Sequence, residues 1–480
     1  MSITRERMLT LIGLVVGMLG SVLLALFGTV VGALALPNDG LTGTTRAWWF
    51  EINCSHTTAL IWFYVGLGLL VLGWLLLSPA ARAGLLRPWA RWAALAAWGT
   101  PLVLGPPLFS RDLYSYVAQG LIAKGGHNPY VTSPQILGND PVLAGIASVW
   151  RDTPAPYGPV AAASTEITAR IGGHSLFTQV VVARLPAVVG MVLLLVFVGR
   201  LATKLGFDPG QAVWLGVLSP LFVISFFASG HNDALMLAFM VGAACLIISG
   251  RWLFGVSVGT AAATIKMPAL SVVGVPLVQR LWRERSGRLQ LLGGTVAVMA
   301  SVAVGLTLLA TFGFGWLSPS ALSIPTQLRT LATPSVALGT FLAGALHLLG
   351  IDVATRDVVS VIRALVSVLS VGVIVWLLVE VRRFNWVRVT GVALMVLAVG
   401  SPTLWPWYLT WGLCLLAATG AQRSRALAVV AAVPVLLVGA QGTPALTGHS
   451  YLWVVPLLVV GVIWLTRPPR PLSLLGPRVD

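Results

Sequence analysis

Apolar runs long enough to cross a lipid bilayer recur from one end of this chain to the other, and no long polar stretch separates them. Inside hydrocarbon a backbone must satisfy its own N–H and C=O groups, so runs of this kind become helices. The first run, about Leu9 to Leu36, is too long for a secretory signal core and has no convincing cleavage site; it reads as a retained helix. Only 9% of the 480 residues are charged. The chain is therefore expected to be one integral membrane domain over residues 1–480, all-α and polytopic. A soluble enzyme on a single anchor is excluded.

The formal charge of +16 would suit a nucleic-acid partner if it were clustered on one surface. It is not. Arginines and lysines gather in alternate gaps between the apolar runs, at Arg82–Arg91, Arg200–Lys204, Arg280–Arg288, Arg382–Arg388 and Arg423–Arg425. Assigning those gaps to the cytoplasm gives that side 20 Lys and Arg against 5 Asp and Glu. That is the positive-inside pattern, so the surplus orients the protein and calls for no nucleic acid. It predicts about fourteen crossings with both termini cytoplasmic. Cys54, Cys245 and Cys414 show no pairing spacing, and no CxxC or HExxH pattern occurs, so no metal or other cofactor is expected. All six histidines fall in outer gaps or at outer helix ends, which hints that the outer side carries the chemistry.

Two intervals are too short for two full spans, which need about 40 residues. Arg251 and Arg280 are separated by 28 residues, and Arg388 and Arg423 by 34. Each must hold two shortened helices. The first pair meets at Ile265-Lys266-Met267-Pro268, where proline blocks continuation. The second meets at Ser401-Pro402-Thr403-Leu404-Trp405-Pro406-Trp407-Tyr408. Broken helices at membrane depth survive only where they are buried in protein or line a cavity.

The longest stretch that does not read as spanning, about 110–175, is an outer loop. It opens with Ser110-Arg111-Asp112-Leu113-Tyr114-Ser115-Tyr116, and apolar residues recur at Leu113, Tyr116, Val117 and Leu121. The spacing predicts a helix lying on the membrane surface with one apolar stripe. Ser110 can cap it, placing Asp112 in the first turn, where the helix dipole and Arg111 favour the ionised carboxylate.

The outer side thus offers one poised carboxylate, Asp112, with cations and donors at Arg111, His231, Lys266 and Arg329. Tyr114, Tyr116, Asp233, Trp405, Trp407 and Tyr408 stand as sugar- and lipid-binding candidates. This set suits transfer from a lipid-linked phosphate to a hydroxyl: the carboxylate takes the hydroxyl proton and the cations neutralise the leaving phosphate. Plainer roles fit several members. Asp112 could only cap its helix, Trp405, Trp407 and Tyr408 could form an interfacial belt, and His231 and Asp233 could be the tip of a tight hairpin. Lys266 could snorkel to the interface, and Arg329 could be a solvated loop residue.

Arg111-Asp112-Leu113-Tyr114-Ser115-Tyr116 with Ala118-Gln119-Gly120, Asn128-Pro129-Tyr130 and Pro156-Tyr157-Gly158-Pro159 together resemble the multi-pass alpha-1,6-mannosyltransferases of actinobacteria (the MptA/MptB type), within the GT-C glycosyltransferases. Gly230-His231-Asn232-Asp233, Lys266-Met267-Pro268 and Trp405-Pro406-Trp407-Tyr408 are similar to elements of the same wider group. The resemblance implies a GT-C-like fold in the bacterial plasma membrane and a polyprenyl-phosphate-mannose donor. It implies an active site on the extracytoplasmic face, and extension of a lipid-anchored mannan, the lipomannan or lipoarabinomannan core. It also implies inversion, with Asp112 as the base and Lys266, His231, Arg329 and Arg111 at the donor phosphate. Leu113 and Tyr114 stand where many GT-C enzymes carry a second acid, which argues against a bound metal. A transferase of arabinofuranose or glucose keeps the same plan. A lipid or sugar transporter is the alternative from another class, since broken helices and a midway lysine suit it too.

Overall fold

The computed structural model describes residues 3–32, 52–284, 286–318, 333–420, 425–442 and 460. They form helices and their connections. Five helices are long and apolar enough to cross a membrane: Glu6–Val31, His56–Arg82, Leu176–Lys204, Arg288–Ala310 and Thr355–Glu380. A sixth span is possible if Pro209–Leu215 and Pro220–Ala228, bent by 58°, count as one. Five shorter apolar helices of 10–17 residues accompany them. In Arg288–Ala310 and Thr355–Glu380 only 11% and 6% of the apolar window is buried within the protein. Leu365, Val368 and Leu369 on the second are all at least 60% exposed. Surfaces of that kind are stable against lipid and not against water, so this is a multi-pass membrane protein.

We number as α1–α4 the helices Ile3–Val31, His56–Arg82, Pro88–Leu104 and Asp112–Lys124. Helices α5–α7 are Pro159–Ile171, Leu176–Ala183 and Leu185–Lys204; α8 is Pro209–Leu215. Helix α1 packs on α2 through glycines: a Cβ at Gly20 would stand 2.5 Å from the Leu70 amide nitrogen, so only hydrogen there lets the backbones meet. Buried Trp74 on α2 and Trp214 on α8 lie face to face, with ring centroids 4.7 Å apart. Each indole donates to the other residue's carbonyl, at 2.9 and 2.8 Å. Two polar N–H groups are thereby buried without an orphan.

Both expected shortened pairs are present. Trp252–Ala263 (α10, after Asp233–Ile248 as α9) ends before Lys266, a 3-10 turn follows at Met267–Leu270, and Ser271–Arg283 (α11) leads away. Trp386–Gly400 ends before a 3-10 turn at Pro406–Tyr408 that leads into Leu409–Ala417. Prolines 268 and 406 sit in the first turn of each 3-10 segment, where a missing N–H costs nothing.

Three expectations need adjusting. The run from Leu176 to Arg200 is interrupted at Arg184, and the run expected to rise from Ala212 is the bent pair. Helix α4 has no single stripe: Leu113, Ser115, Tyr116, Ala118, Gln119 and Ile122 are all buried. It is packed by α5 and α6 and by the turn at Val142–Gly145, with Gly120 admitting the Thr165 carbonyl where a Cβ would collide. The helix expected over Tyr451–Thr466 and both termini lie outside the described residues.

Candidate active site

The approach to Asp112 is built by backbone ties between segments distant in sequence. Phe109 takes a left-handed turn at φ 63°, and its N–H donates to the Ala440 carbonyl at 2.7 Å. The Leu108 N–H donates to Ala228, and the Ser229 hydroxyl donates back to Leu108 at 2.8 Å. The Ser110 hydroxyl accepts the Asp112 amide at 3.1 Å, but the N-cap position falls to Arg111, which makes no side-chain cap bond, so Ser110 is not the cap the sequence suggested. Arg184 sits behind this junction, fully buried. It donates to Val103 at 2.8 Å and to Gly105 and Ala228 at 3.0 Å each, clamping the end of α3 to the turn that precedes His231. Gly230 completes that turn at φ 70°, where a Cβ would come within 2.8 Å of Leu113. The outcome is that His231 Nδ1 stands 3.6 Å from Asp112 Oδ2.

Beside this pair lies a buried ion pair. Lys266 Nζ donates to both carboxylate oxygens of Asp233, at 3.1 Å each. The Trp411 indole donates to the same carboxylate at 2.6 Å. Asp233 is fully buried; the Lys266 side chain keeps 17% exposure and stands 4.8 Å from the centre of the Tyr408 ring. Lys266 is held there by a close docking of backbones. Gly158 and Val160 donate N–H groups to Ile265 and Thr264, and at Gly158 a Cβ would collide with the Thr264 carbonyl. The Pro156-Tyr157-Gly158-Pro159 motif is thus the clasp that fixes the apex of the first shortened pair.

The apex of the second pair supplies the opposite wall. Trp405 stacks on Trp407 with centroids 5.1 Å apart, and Trp407 stacks on the imidazole of His231 at 3.7 Å. Tyr408 stacks on Trp411 at 4.3 Å. These rings point inward, around a cavity of about 280 Å³ whose lining includes Asp112, Tyr157, Lys266, Trp316, Trp405 and Trp407.

The electrostatics differ from what the first turn of a helix alone would give. Burial pushes the Asp112 carboxyl up to about 6; Lys266 opposes the rise, Asp233 adds to it, and Ser110 opposes it. Its side chain keeps only 16% exposure, so little water reaches the carboxylate. Arg111 does not set this balance; it donates to Gln441 at 3.4 Å. Burial, with Lys266, pushes His231 well below the usual imidazole range, so the ring is neutral. Burial is the largest single influence on Lys266 and disfavours its charge, but Asp233, Tyr408 and Tyr157 together outweigh it and keep the ammonium protonated.

The structure gathers Asp112, His231, Asp233, Lys266, Trp405, Trp407 and Tyr408 into one neighbourhood. Tyr116 touches it indirectly, its hydroxyl 3.5 Å from that of Tyr157. Tyr114 is buried among α4, Val142 and Ile146 instead, with its ring against Gly145 and no partner for its hydroxyl. Arg329 lies outside the described residues. Sequence reasoning passed over Arg184 and Trp411. An arginine inside the run 176–204, well before its cationic end at Arg200 and Lys204, was the available signal for the first. For the second it was the indole one helical turn beyond Trp407.

Known proteins were compared with the chain. Residues 14–284 match the family model described as alpha-(1->6)-mannopyranosyltransferase, N-terminal domain, and residues 335–466 match the one described as MptB C-terminal domain. Alpha-(1->6)-mannopyranosyltransferase A of Mycobacterium tuberculosis is 31% identical over 431 residues, covering 86% of this chain and 81% of the relative. A probable alpha-(1->6)-mannopyranosyltransferase of Mycolicibacterium smegmatis is 31% identical over 73% of this chain and 68% of its own. Alpha-(1->6)-mannopyranosyltransferase B of Corynebacterium glutamicum is 26% identical over 87% and 74%. No solved structure matches.

Proposed function

The chain belongs to the alpha-(1->6)-mannopyranosyltransferase family and is a membrane glycosyltransferase; from that premise we propose that it moves mannose from polyprenyl-phosphate-mannose to an alpha-1,6-mannan acceptor, the core of lipomannan or lipoarabinomannan. The observation that carries this reading is one cavity lined by a carboxylate, an ammonium and stacked aromatic rings. Asp112 accepts the proton of the acceptor 6-hydroxyl as its oxygen attacks the mannosyl C1. The C1–O bond to phosphate breaks, and the charge released on the polyprenyl phosphate meets Lys266. A single displacement on a beta-linked donor gives the alpha product. His231, neutral and stacked on Trp407, positions Asp112, and the tryptophans pack against sugar and prenyl chain. One carboxylate serves, because phosphate leaves without a protonating acid; no metal is required.

The same proposal sets the cavity on the extracytoplasmic face of a bacterial plasma membrane, in a GT-C-like plan of about fourteen crossings with both termini cytoplasmic, supported by the arginine distribution. Purified protein in membranes, offered labelled polyprenyl-phosphate-mannose or GDP-mannose with a short alpha-1,6-mannoside, tests it. Transfer is expected from the lipid donor alone. Transfer only from GDP-mannose, or only from an arabinofuranosyl or glucosyl lipid, would replace the proposal.

A further inference from the structure

At the far ends of the same helices the molecule carries a second feature that the transfer reaction does not use. Helix α9 begins at Asp233, in the catalytic neighbourhood, and ends at Ile248, about 24 Å away at 1.5 Å per residue. Helix α7 runs alongside it to Lys204, and α10 starts at Trp252. Between these ends lies a cavity of about 740 Å³. Its walls are apolar, with Leu193, Phe197, Phe239, Leu246 and Val258, and its rim holds Arg200, Lys204 and Arg251. No carboxylate lines it among the described residues. Arg200 and Lys204 are four residues apart on α7, so they share a face. A second cavity of about 550 Å³ flanks the other side of α7, shares Arg200 and Lys204, and adds Arg91, which feels the charge of Asp208 but whose Nε has no hydrogen-bond partner among the described residues.

We propose that this groove binds an anionic glycerophospholipid of the leaflet opposite the catalytic cavity. Its phosphate would lie against Arg200, Lys204 and Arg251 and its acyl chains along Phe197 and Phe239. Three observations select this occupant. Arg200 and Lys204 lie in the last turns of α7 and Arg251 just past the end of α9, where cations attract anionic headgroups. These cations are concentrated on one rim, and no acid lines the larger cavity among the described residues. The remaining wall is hydrocarbon, which a water-soluble anion would leave uncovered. Positive residues at this level orient a protein whatever they touch, but orientation does not require an apolar trough leading away from them.

The test uses full-length protein, stripped of lipid in detergent, with phosphatidylglycerol or phosphatidylcholine added back. Native mass spectrometry and thermal melting are the readouts. Wild type should retain phosphatidylglycerol and melt higher with it, and respond little to phosphatidylcholine. Each charge removed should weaken binding about fivefold, at about 1 kcal/mol per cation near the surface. Arg200→Gln, Lys204→Gln and Arg251→Gln together should therefore abolish the shift, while the swap Arg200→Lys, Lys204→Arg and Arg251→Lys should preserve most of it. Should the triple glutamine chain fail to fold, Lys204→Gln and Arg251→Gln singly should each weaken binding about fivefold. Equal binding of the two lipids, or undiminished binding by the charge-removed chains, overturns the proposal. An equal shift with inorganic phosphate alone does so too, and would make this a site for a soluble anion.

Discussion

At the residue scale the site turns on two carboxylates in different surroundings. Asp112 is buried with its pKa raised to about 6, and Asp233 is paired with the Lys266 ammonium and accepts the Trp411 indole N–H. A base must be ionised to act. Because the Asp112 pKa is raised, kcat/KM should fall tenfold per unit as pH drops below about 6, well above the ordinary carboxylate range. Asp112→Asn should lose this limb together with about 100- to 10,000-fold in turnover. The same shift fixes the sign for stability. An acid whose folded pKa exceeds its unfolded value costs nothing at low pH; the cost grows as pH rises from the unfolded to the folded value, here up to about 6, and is present in full above it. Removing the charge should therefore raise the melting point at pH 7 by the equivalent of roughly 1–2 kcal/mol, after allowance for its partial exposure. An Asn variant that keeps more than about a tenth of the turnover rules out general-base catalysis by Asp112; Asp140 and Asp152 would then be the acids to examine. Lys266 has a different signature. Lys266→Met leaves the Asp233 charge buried with one donor and should destabilise by about 3–5 kcal/mol. Adding Asp233→Asn should restore folding but not transfer. If the double variant recovers both, Lys266 is only a structural partner of Asp233.

At the element scale, the interrupted helices were legible and their surroundings were not. Arginine spacing alone required two shortened pairs, and Pro268 and Pro406 located their apices. That both apices converge on one cavity depends on tertiary docking, which spacing does not encode. The stripe read from Leu113, Tyr116, Val117 and Leu121 is real, but apolar periodicity reports only one packed face. Ser115, Gln119 and Gly120 are buried as well, because α5 approaches through glycine. Arg184 was hidden for the opposite reason: its partners are three backbone carbonyls, invisible in any sequence pattern. The docking of the Tyr157-Gly158-Pro159 clasp makes a direct comparison possible. Gly158→Ala sets a methyl group against the Thr264 carbonyl and should displace Lys266, costing about 1–3 kcal/mol and most of the transfer rate. Gly274→Ala, inside α11 with nothing within 4 Å of the added carbon, should be neutral or stabilising by about 0.5–1 kcal/mol. Equal melting points and rates for the two variants would remove the clasp from the account.

At the scale of the whole molecule, polarity across the membrane decides which donor can reach the cavity. Polyprenyl-phosphate sugars present their headgroups at a bilayer surface, whereas nucleotide sugars are confined to the cytoplasm. The cavity lies at one end of α9, and the arginine-rich gaps lie at the other ends of the helices around it; the proposed function sets the cavity on the outside in keeping with that charge distribution. Single cysteines can read this directly. Cys245 and Cys414 are buried, and Cys54→Ser clears the partly exposed one. Val131, in the segment after α4, is 75% exposed, and Leu85, between α2 and α3, is 41% exposed. In intact cells an impermeant maleimide should label Val131→Cys at once, and Leu85→Cys only after the membrane is opened. The reverse pattern would turn the cavity toward the cytoplasm. A nucleotide sugar would then be the accessible donor, and the lipid-linked donor, the extracytoplasmic acceptor and the charge-based orientation would all fall together, leaving the chemistry of Asp112 to be tested with GDP-mannose.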